Sequence, residues 1–406
     1  EQGNNLLLDN GDLIQGTPLG TYMAKKSGLM ETPSMIHPMI AAMNVMKYDA
    51  ATYGNHEFNY GLDFLNRTVN GGDPNTGANF SYVNANIYKP DGVTNYFDPY
   101  TIINKTVTDS NGQEQTIKVG LIGFVPPQIM DWDMVNLEGK VITKDIAETA
   151  AKFVPDMKAD GAQIIVAMAH TGFDVSAVQG DFSENDINAL SKVPGIDAIT
   201  FSHTHKVFPA STNEALDKSF KDPDTGLPYN KVGVSVVDNV YGQINGTPAV
   251  QAGYGGGYLG LIDLKIVQDG LGWKVDKETS KASTRSISGV TADPTVTAAI
   301  QTAHEATIAY TSQKLGTTTA PMNSYFAMVQ DDPTVQIVTQ AQKWYVEKYI
   351  NTNLPQYKNM PILSVGAPFK AGRNGPTEYT NIAAGDLTIR SASDLYLYDN
   401  TLKAIK

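Results

Sequence analysis

Short apolar runs alternate with helix-like segments through the first two-thirds of the chain, and this alternation is the feature that most restricts the fold. The predicted strands are 6–8, 50–53, 119–125, 164–169 and 196–201. The predicted helices are 38–46, 62–69 and 146–154, the last ending at Pro155. Strands that alternate with helices predict an α/β fold in which the helices cover the strands.

The remainder of the chain has a different pattern. Gly and Asn-Gly signals divide 232–266 into short antiparallel strands, and 291–311 reads as one long helix. A smaller unit begins near 315, with a predicted helix at 334–350 and a β-like end at 394–402. The domain boundaries that we expect are 1–285, a linker helix at 286–314, and 315–406.

Composition limits the possible functions. The 406 residues suffice for two or three domains, and the mean hydropathy of −0.23 is typical of an ordinary soluble globular protein. No apolar run approaches the ~20 residues of a membrane span, and residues 1–5 have no signal-peptide character. A net charge of −12 argues against binding to nucleic-acid polymers but allows a small phosphate substrate where metal ions add positive charge.

The chain contains no cysteine, which excludes disulfides, cysteine zinc sites and thiol nucleophiles. Any metal site must therefore use His, Asp, Asn, Glu or backbone oxygen, a donor set that favours Mn, Mg, Zn or Fe.

Four predicted strands end in loops rich in metal-ligating residue types. These loops are Asn10-Gly11-Asp12, Gly54-Asn55-His56-Glu57, Ala169-His170-Thr171-Gly172 and Ser202-His203-Thr204-His205. They hold four of the six histidines, at the strand ends where open α/β sheets bind ligands. A metal site is the functional interpretation, and capped turns with hydrogen-bonded histidines are the structural alternative.

Together these motifs resemble the calcineurin-like metallophosphoesterases. Longer stretches resemble the bacterial 2′,3′-cyclic-nucleotide 2′-phosphodiesterase/3′-nucleotidase branch of the 5′-nucleotidase family, namely 9–16, 54–61, 124–130, 329–333 and 394–398. The resemblance covers essentially the whole chain. It implies a four-layer α/β/β/α sandwich followed by part of a smaller α/β substrate-binding domain.

The resemblance also implies roles for individual residues. Asp12 would bridge two metals, His205 would serve one of them, and the other would be held by Asn55, His170 and His203. His56 would be the catalytic histidine, with Asn59 in the position where 5′-nucleotidases have Asp. In the second domain Tyr398 would stack on the nucleobase, and Arg373 would contact phosphate or ribose.

The implied cofactors are two divalent ions, drawn from Mn, Zn, Fe, Co and Mg, that share a hydroxide and clamp the attacking and leaving oxygens. The implied reaction opens 2′,3′-cyclic nucleotides to 3′-nucleotides and then releases the phosphate. A stacked base tolerates any nucleobase, so broad nucleotide use is expected. The alternatives are a 5′-nucleotidase or nucleotide-sugar hydrolase, and a non-catalytic nucleotide-binding surface protein or fragment.

One family motif has no counterpart. Asp-x-His, which would supply two further ligands to the metal that His205 serves, occurs nowhere in the chain. We therefore expect a fragment in which that metal keeps only Asp12 and His205, with the sequence ending soon after Tyr398. The family resemblance further implies export to the periplasm or cell wall, and we expect a monomer.

Overall fold

The structure is a computed structural model that describes residues 4–231, 234–270, 272–373, 375–397 and 402. The helices are α1 (Pro18–Lys25), α2 (Pro38–Met46), α3 (Leu62–Asn70), α4 (Ile129–Trp132), α5 (Met134–Leu137), α6 (Ile146–Ala159), α7 (Ile187–Leu190), α8 (Pro294–Thr311), α9 (Pro333–Asn353) and α10 (Ile389–Leu395).

The strands begin with β1 (Leu8–Asp9), β2 (Ala50–Thr52), β3 (Ser81–Val83), β4 (Ile87–Tyr88), β5 (Tyr100–Thr108), β6 (Glu114–Phe124), β7 (Ile142–Thr143), β8 (Ile164–Ala169), β9 (Ala198–Phe201) and β10 (Val207–Phe208). They continue with β11 (Asn230–Lys231), β12 (Val234–Ser235), β13 (Val237–Asp238), β14 (Gln243–Ile244), β15 (Thr247–Ala252), β16 (Tyr258–Asp269), β17 (Gly272–Ser286), β18 (Lys314–Thr318), β19 (Met322–Asn323), β20 (Asn381–Ile382) and β21 (Gly385–Thr388).

The described residues form two compact units. The first comprises residues up to 15 together with 29–300, and the second comprises 16–28 together with the residues from 301 onward. The boundary between the units falls within α8, the long helix that the sequence predicts at 291–311. In the described residues no helix is both long and apolar enough to cross a lipid bilayer.

Two sheets form the centre of the first unit. The smaller sheet is parallel, in the order β1-β2-β3, and the larger runs β13-β14-β15-β9-β8-β6-β5 with β10 beside β15. The strands of the larger sheet that lead to the candidate site, β6, β8 and β9, pair in parallel.

Residue alternation along β6 shows how the layers are made. Ile117, Val119 and Leu121 join a core that also contains Ala50 of β2 and Val83 of β3, so the two sheets pack face to face. Ile122 and Phe124 point the other way, into a second core, because successive side chains of a strand alternate between faces.

Helix α6 covers that second core with six buried side chains: Ile146, Ala147, Ala150, Phe153, Val154 and Met157. A sheet that is buried on both faces needs apolar residues on both faces, which explains why β8 reads as a continuous apolar run. The predicted α/β/β/α sandwich is confirmed.

Helix α6 continues past Pro155, so the prediction that it ends there is wrong. The proline removes one helical hydrogen bond, but Met157 beyond it is completely buried in the core. Burying the last turn against the sheet outweighs the local preference to stop.

The second unit contains α1, most of α8, and all later elements. Within it β18 pairs with β21 and β19 pairs with β20, both antiparallel. Asp332 caps α9 by accepting the backbone N–H of Thr334, as a helix-start signal before Pro333 predicts.

Two predictions for the second unit fail. Residues Asp394 and Leu395 are the end of α10, not a strand, because the Thr388 capping box starts a helix six positions earlier. Helical spacing also predicts a buried aromatic face on α9, yet Trp344 and Tyr345 are 61% and 56% exposed.

Candidate metal centre and active site

The ends of four strands bring the candidate ligands toward one edge of the sandwich. Asp12 follows β1, Asn55 follows β2, His170 follows β8, and His203 and His205 follow β9. Three of these five residues have left-handed backbones, with φ of 64° at Asp12, 70° at His203 and 61° at His205. Non-glycine residues seldom adopt this conformation, and strain of this kind clusters at functional sites.

Gly54 allows the loops to approach one another. A Cβ at this position would lie 2.3 Å from Oδ1 of Asp12 and 2.6 Å from Cε1 of His170. Any side chain would therefore displace two candidate ligands. The sequence motif needs glycine here because of close packing against Asp12 and His170.

Glu57 holds the Asp12 loop in place. It is 2% exposed, and its Oε2 accepts the backbone N–H groups of Asp12 at 2.7 Å and Gly54 at 2.6 Å. Its Oε1 accepts the N–H groups of Leu13 at 2.6 Å and Ile14 at 3.3 Å. Burial and the nearby Asp12 carboxylate raise the pKa of Glu57 above its ordinary value.

His170 directs one nitrogen at Asp12. Its Nδ1 donates to the backbone carbonyl of Asn10 at 2.6 Å, which leaves a lone pair on the neutral ring's Nε2. That Nε2 lies 3.0 Å from Oδ2 of Asp12, although it makes no well-aligned hydrogen bond there. Two acceptors at this distance need a proton or a metal cation between them.

His203 is arranged in a similar way, but it donates its proton through Nε2, whereas His170 donates through Nδ1. Its Nε2 lies 2.8 Å from Oε1 of Glu184, so the ring donates its proton there. Its Nδ1 then presents a lone pair that lies 3.0 Å from Oδ1 of Asn55. Metal-binding histidines characteristically donate their second nitrogen to a carboxylate or backbone carbonyl in this way.

The donors therefore fit a divalent cation. Among the residues that the structure describes, no three His, Asp or Glu side chains alone are grouped to hold an ion. The donors instead stand in two pairs, Asp12 Oδ2 with His170 Nε2 and Asn55 Oδ1 with His203 Nδ1, and the two imidazole rings are 5.6 Å apart between centroids. Mixed oxygen and imidazole ligands suit Mn, Fe, Zn and similar ions.

The pKa shifts of the histidines reflect their surroundings. Burial lowers the pKa of His203 and of His205, which favours the neutral form that a metal ligand requires. Burial also acts to lower the pKa of His170, but the Asp12 carboxylate outweighs it and the pKa is raised. Burial opposes ionisation of Asp12, yet His170 and His56 hold the pKa of Asp12 well below its usual range.

Two exposed aromatic rings flank the histidines. Trp132 of α4 stacks on His203 with ring centroids 5.6 Å apart, and Tyr254 stacks on His205 at 5.1 Å. Tyr254 lies in the glycine-rich 253–257 turn, which therefore stands beside the site. These rings restrict the orientation of both imidazoles.

His56 stands beside the ligands. Its backbone N–H donates to Oδ1 of Asp12 at 2.9 Å, and its Nδ1 lies 2.7 Å from Oδ1 of Asn59. The Nδ2 of Asn59 in turn donates to Asp133, with both carboxylate oxygens at 3.0 Å. The two candidate catalytic residues are thus in direct contact.

The remaining candidates belong to the second part of the chain. Arg373 is exposed in the second unit, and Tyr398 lies outside the described residues. Sequence reasoning gave no role to Glu57, Glu184 or Asp133. The spacing of Glu57 within the Gly-Asn-His-Glu motif was a usable signal, whereas Glu184 and Asp133 belong to no motif.

Comparison with known proteins identifies the family of the chain. A model of the calcineurin-like phosphoesterase family matches residues 1–207. The chain belongs to the calcineurin-like phosphoesterase family. Membership in this family implies divalent metal ions, as the donor set does independently.

Curated relatives cover nearly the whole of this phosphoesterase chain. The trifunctional nucleotide phosphoesterase protein YfkN of Bacillus subtilis is 49% identical over 99% of the chain. The 2′,3′-cyclic-nucleotide 2′-phosphodiesterase/3′-nucleotidase of Salmonella typhimurium is 43% identical over 100% of it. The chain spans 26% of the first protein and 59% of the second.

The crystal structure of the calcineurin-like phosphoesterase YfkN from Bacillus subtilis has the same fold. It matches with a TM-score of 0.65 and 45% identity, over 76% of this chain and 85% of that chain. The resemblance stated from the sequence motifs is therefore confirmed, and so is the fold that it implies.

Proposed function

We propose that the protein hydrolyses 2′,3′-cyclic nucleotides to 3′-nucleotides and then removes the 3′-phosphate. The observation that carries the proposal is the paired arrangement of Asp12 with His170 and of Asn55 with His203, in a chain that is similar to enzymes of this name. Two divalent ions at these ligands would polarise the phosphate and lower the pKa of a bound water.

The residues of the chain would divide the remaining work. Asp12 would be shared by the two ions, with Asn55, His170 and His203 at one and His205 at the other. Asn59 engages Nδ1 of His56, so Nε2 is the nitrogen that would face a phosphate or leaving oxygen, and it would donate to that oxygen when both ring nitrogens carry a proton. Glu184 and Asn10 hold the rings of His203 and His170 through their other nitrogens.

Substrate selection would involve the second unit. We assign base stacking to Tyr398 and a phosphate or ribose contact to Arg373, on the strength of the family resemblance. The domain division at 1–285, 286–314 and 315–406 rests on the residue pattern of the chain, and export to the periplasm or cell wall rests on the resemblance. We also expect a monomer. Tyr398→Ala should raise KM by about 5- to 150-fold, since a stacked base contributes about 1–3 kcal/mol.

The test is Mn²⁺-supplemented hydrolysis of 2′,3′-cyclic AMP, 3′-AMP and 5′-AMP. We expect turnover of the first two and little of 5′-AMP. His56→Ala should abolish most of that turnover, whereas His304→Ala, at an exposed position of α8, should not. Preference for 5′-AMP would favour the 5′-nucleotidase alternative, and unchanged turnover by His56→Ala would contradict the mechanism.

A further inference from the structure

Asp133 lies where two short helices meet, close to the candidate catalytic pair. It follows α4 directly and precedes α5, and its backbone N–H closes the α4 turn onto Ile129. Its side chain is buried, with 7% of the residue exposed. A buried carboxylate is costly unless it accepts hydrogen bonds, so its partners are informative.

The amide of Asn59 is close to both oxygens of this carboxylate, and Nδ2 of Asn136 lies 3.5 Å from its Oδ1. Both oxygens of Asp133 lie 3.0 Å from the same nitrogen, Nδ2 of Asn59. An ionised carboxylate can only accept hydrogen bonds, and only the nitrogen end of an asparagine amide can donate. Asp133 therefore dictates which way the Asn59 amide faces.

The orientation of the amide decides the protonation of His56. With Nδ2 turned to Asp133, Oδ1 of Asn59 faces Nδ1 of His56 at 2.7 Å. Because that oxygen only accepts, Nδ1 must carry a proton. The direction of the hydrogen bonds thus runs from His56 through Asn59 to Asp133.

We infer that Asp133 is a positioning residue that fixes the tautomer of His56 through Asn59. The inference rests on the function proposed above, because it concerns the same reaction. When Nδ1 is protonated in every molecule, Nε2 is always the nitrogen that accepts a proton and passes it on to the phosphate or leaving oxygen. Without Asp133 the Asn59 amide can turn over, and part of the population would present the wrong nitrogen.

The first test removes the carboxylate. Asp133→Ala is compared with Asp131→Ala, which removes an exposed carboxylate two positions earlier in α4. The tautomer is read from imidazole ¹⁵N spectra of histidine-labelled protein without substrate, and the His56 signals are identified by their loss in His56→Gln. The six histidines keep such spectra simple.

We expect His56 to be the Nδ1–H tautomer in the parent and in Asp131→Ala, and a mixture of tautomers in Asp133→Ala. The kcat for 3′-AMP should fall on the order of 10- to 100-fold in Asp133→Ala only, as for other groups that orient a functional histidine. KM should change less than about twofold, because Asp133 does not contact substrate. An unchanged His56 tautomer in Asp133→Ala overturns the inference.

The spectra need no turnover. They therefore test the role of Asp133 even if none of the three nucleotides is hydrolysed. A complete lack of hydrolysis would contradict the proposed function and not the inference about Asp133.

The second test exchanges the two side chains and guards against simple misfolding of Asp133→Ala. Asn59→Asp alone places two carboxylates within hydrogen-bonding distance, which their mutual repulsion disfavours. In the double variant Asn59→Asp, Asp133→Asn, the carboxylate at position 59 again presents an acceptor to His56. The amide at position 133 can donate a hydrogen bond to that carboxylate. We expect it to recover the Nδ1–H tautomer and a kcat above that of either single variant, and a double variant no better than both singles overturns the inference.

Discussion

The carboxylate of Glu57 accepts the backbone N–H of Asp12 at 2.7 Å, across 45 positions of sequence. Asp12 has a left-handed backbone, a conformation that needs support from its surroundings. Glu57 supplies that support with two oxygens that serve four backbone donors of the neighbouring loops. The motif that provides Asn55 and His56 therefore also holds the loop that provides Asp12.

Glu57→Gln should destabilise the protein. Glutamine keeps one acceptor but turns an amide NH₂ toward backbone N–H groups that then lose their partner. Two backbone donors are left unpaired and each costs about 1–3 kcal/mol, so we expect a loss of about 2–6 kcal/mol in the free energy of unfolding. Urea unfolding measures it, and Glu138→Gln, at an exposed position, should change little. Equal stabilities of the two variants would contradict the role of Glu57.

Glu184→Ala should weaken metal binding without unfolding the protein. The Glu184 side chain is 44% exposed, so its loss leaves no buried cavity. It lies 2.8 Å from Nε2 of His203 and fixes which ring nitrogen is left for the metal. We expect a 10- to 100-fold rise in the Kd for Mn²⁺, an order of magnitude typical for such partners.

Isothermal titration with Mn²⁺ gives these affinities, and thermal unfolding shows whether the fold persists. Glu214→Ala, which removes another exposed glutamate, serves as the matched control. Identical Mn²⁺ affinities in the two variants would argue that Glu184 has no part in holding His203.

Gly54→Ala should disrupt the metal site. The added methyl group would stand 2.3 Å from Oδ1 of Asp12 and 2.6 Å from Cε1 of His170, so both must move. We expect Mn²⁺ binding and phosphoesterase activity to be lost together. The control is Gly316→Ala, because an added Cβ there has no atom within 4 Å. Mn²⁺ titration of both variants measures the expected loss of binding, and equal affinities would contradict it.

Stability should depend on pH through Asp186, which is completely buried. Burial, with the nearby Asp145 carboxylate second, raises the pKa of Asp186 to about 8. The unfolded chain gives up this proton near the ordinary value of 3.8, whereas the folded chain keeps it until about 8. The folded state therefore binds more protons between these values, and the free energy of unfolding falls as pH rises through that window.

Asp186→Asn removes this dependence, because its neutral side chain cannot lose a proton. An amide oxygen at this position can still accept the backbone N–H of Ala147, as Oδ2 does at 3.0 Å. The stability of the variant relative to the parent should increase toward pH 8, with a slope of at most about 1.4 kcal/mol per pH unit. Denaturant unfolding at a series of pH values measures this difference, and parallel curves would contradict the raised pKa.

Several features of the fold could be read from the sequence because they are local. Helix α2 occupies the predicted 38–46 and β8 the predicted 164–169, since periodicity and flanking proline report directly on such elements. The end of helix α6 and the burial of the aromatic residues of α9 were predicted wrongly. Where α6 ends and whether the α9 aromatic rings are buried depend on which surfaces the rest of the chain packs against. Periodicity along one helix does not contain that information.

The sequence by itself determined an α/β fold, the residue types at the four strand ends and the motifs that carry the family resemblance. These follow from hydrophobic period and from motif chemistry, both of which are carried by neighbouring residues. Only the tertiary structure decided the supporting hydrogen bonds. One joins Glu184 to His203 across 19 positions of sequence, and the other joins Asp133 to Asn59 across 74. Such pairs form where separate loops meet at the end of a sheet, and their meeting is set by the packing of the whole unit, to which no local pattern of residues corresponds.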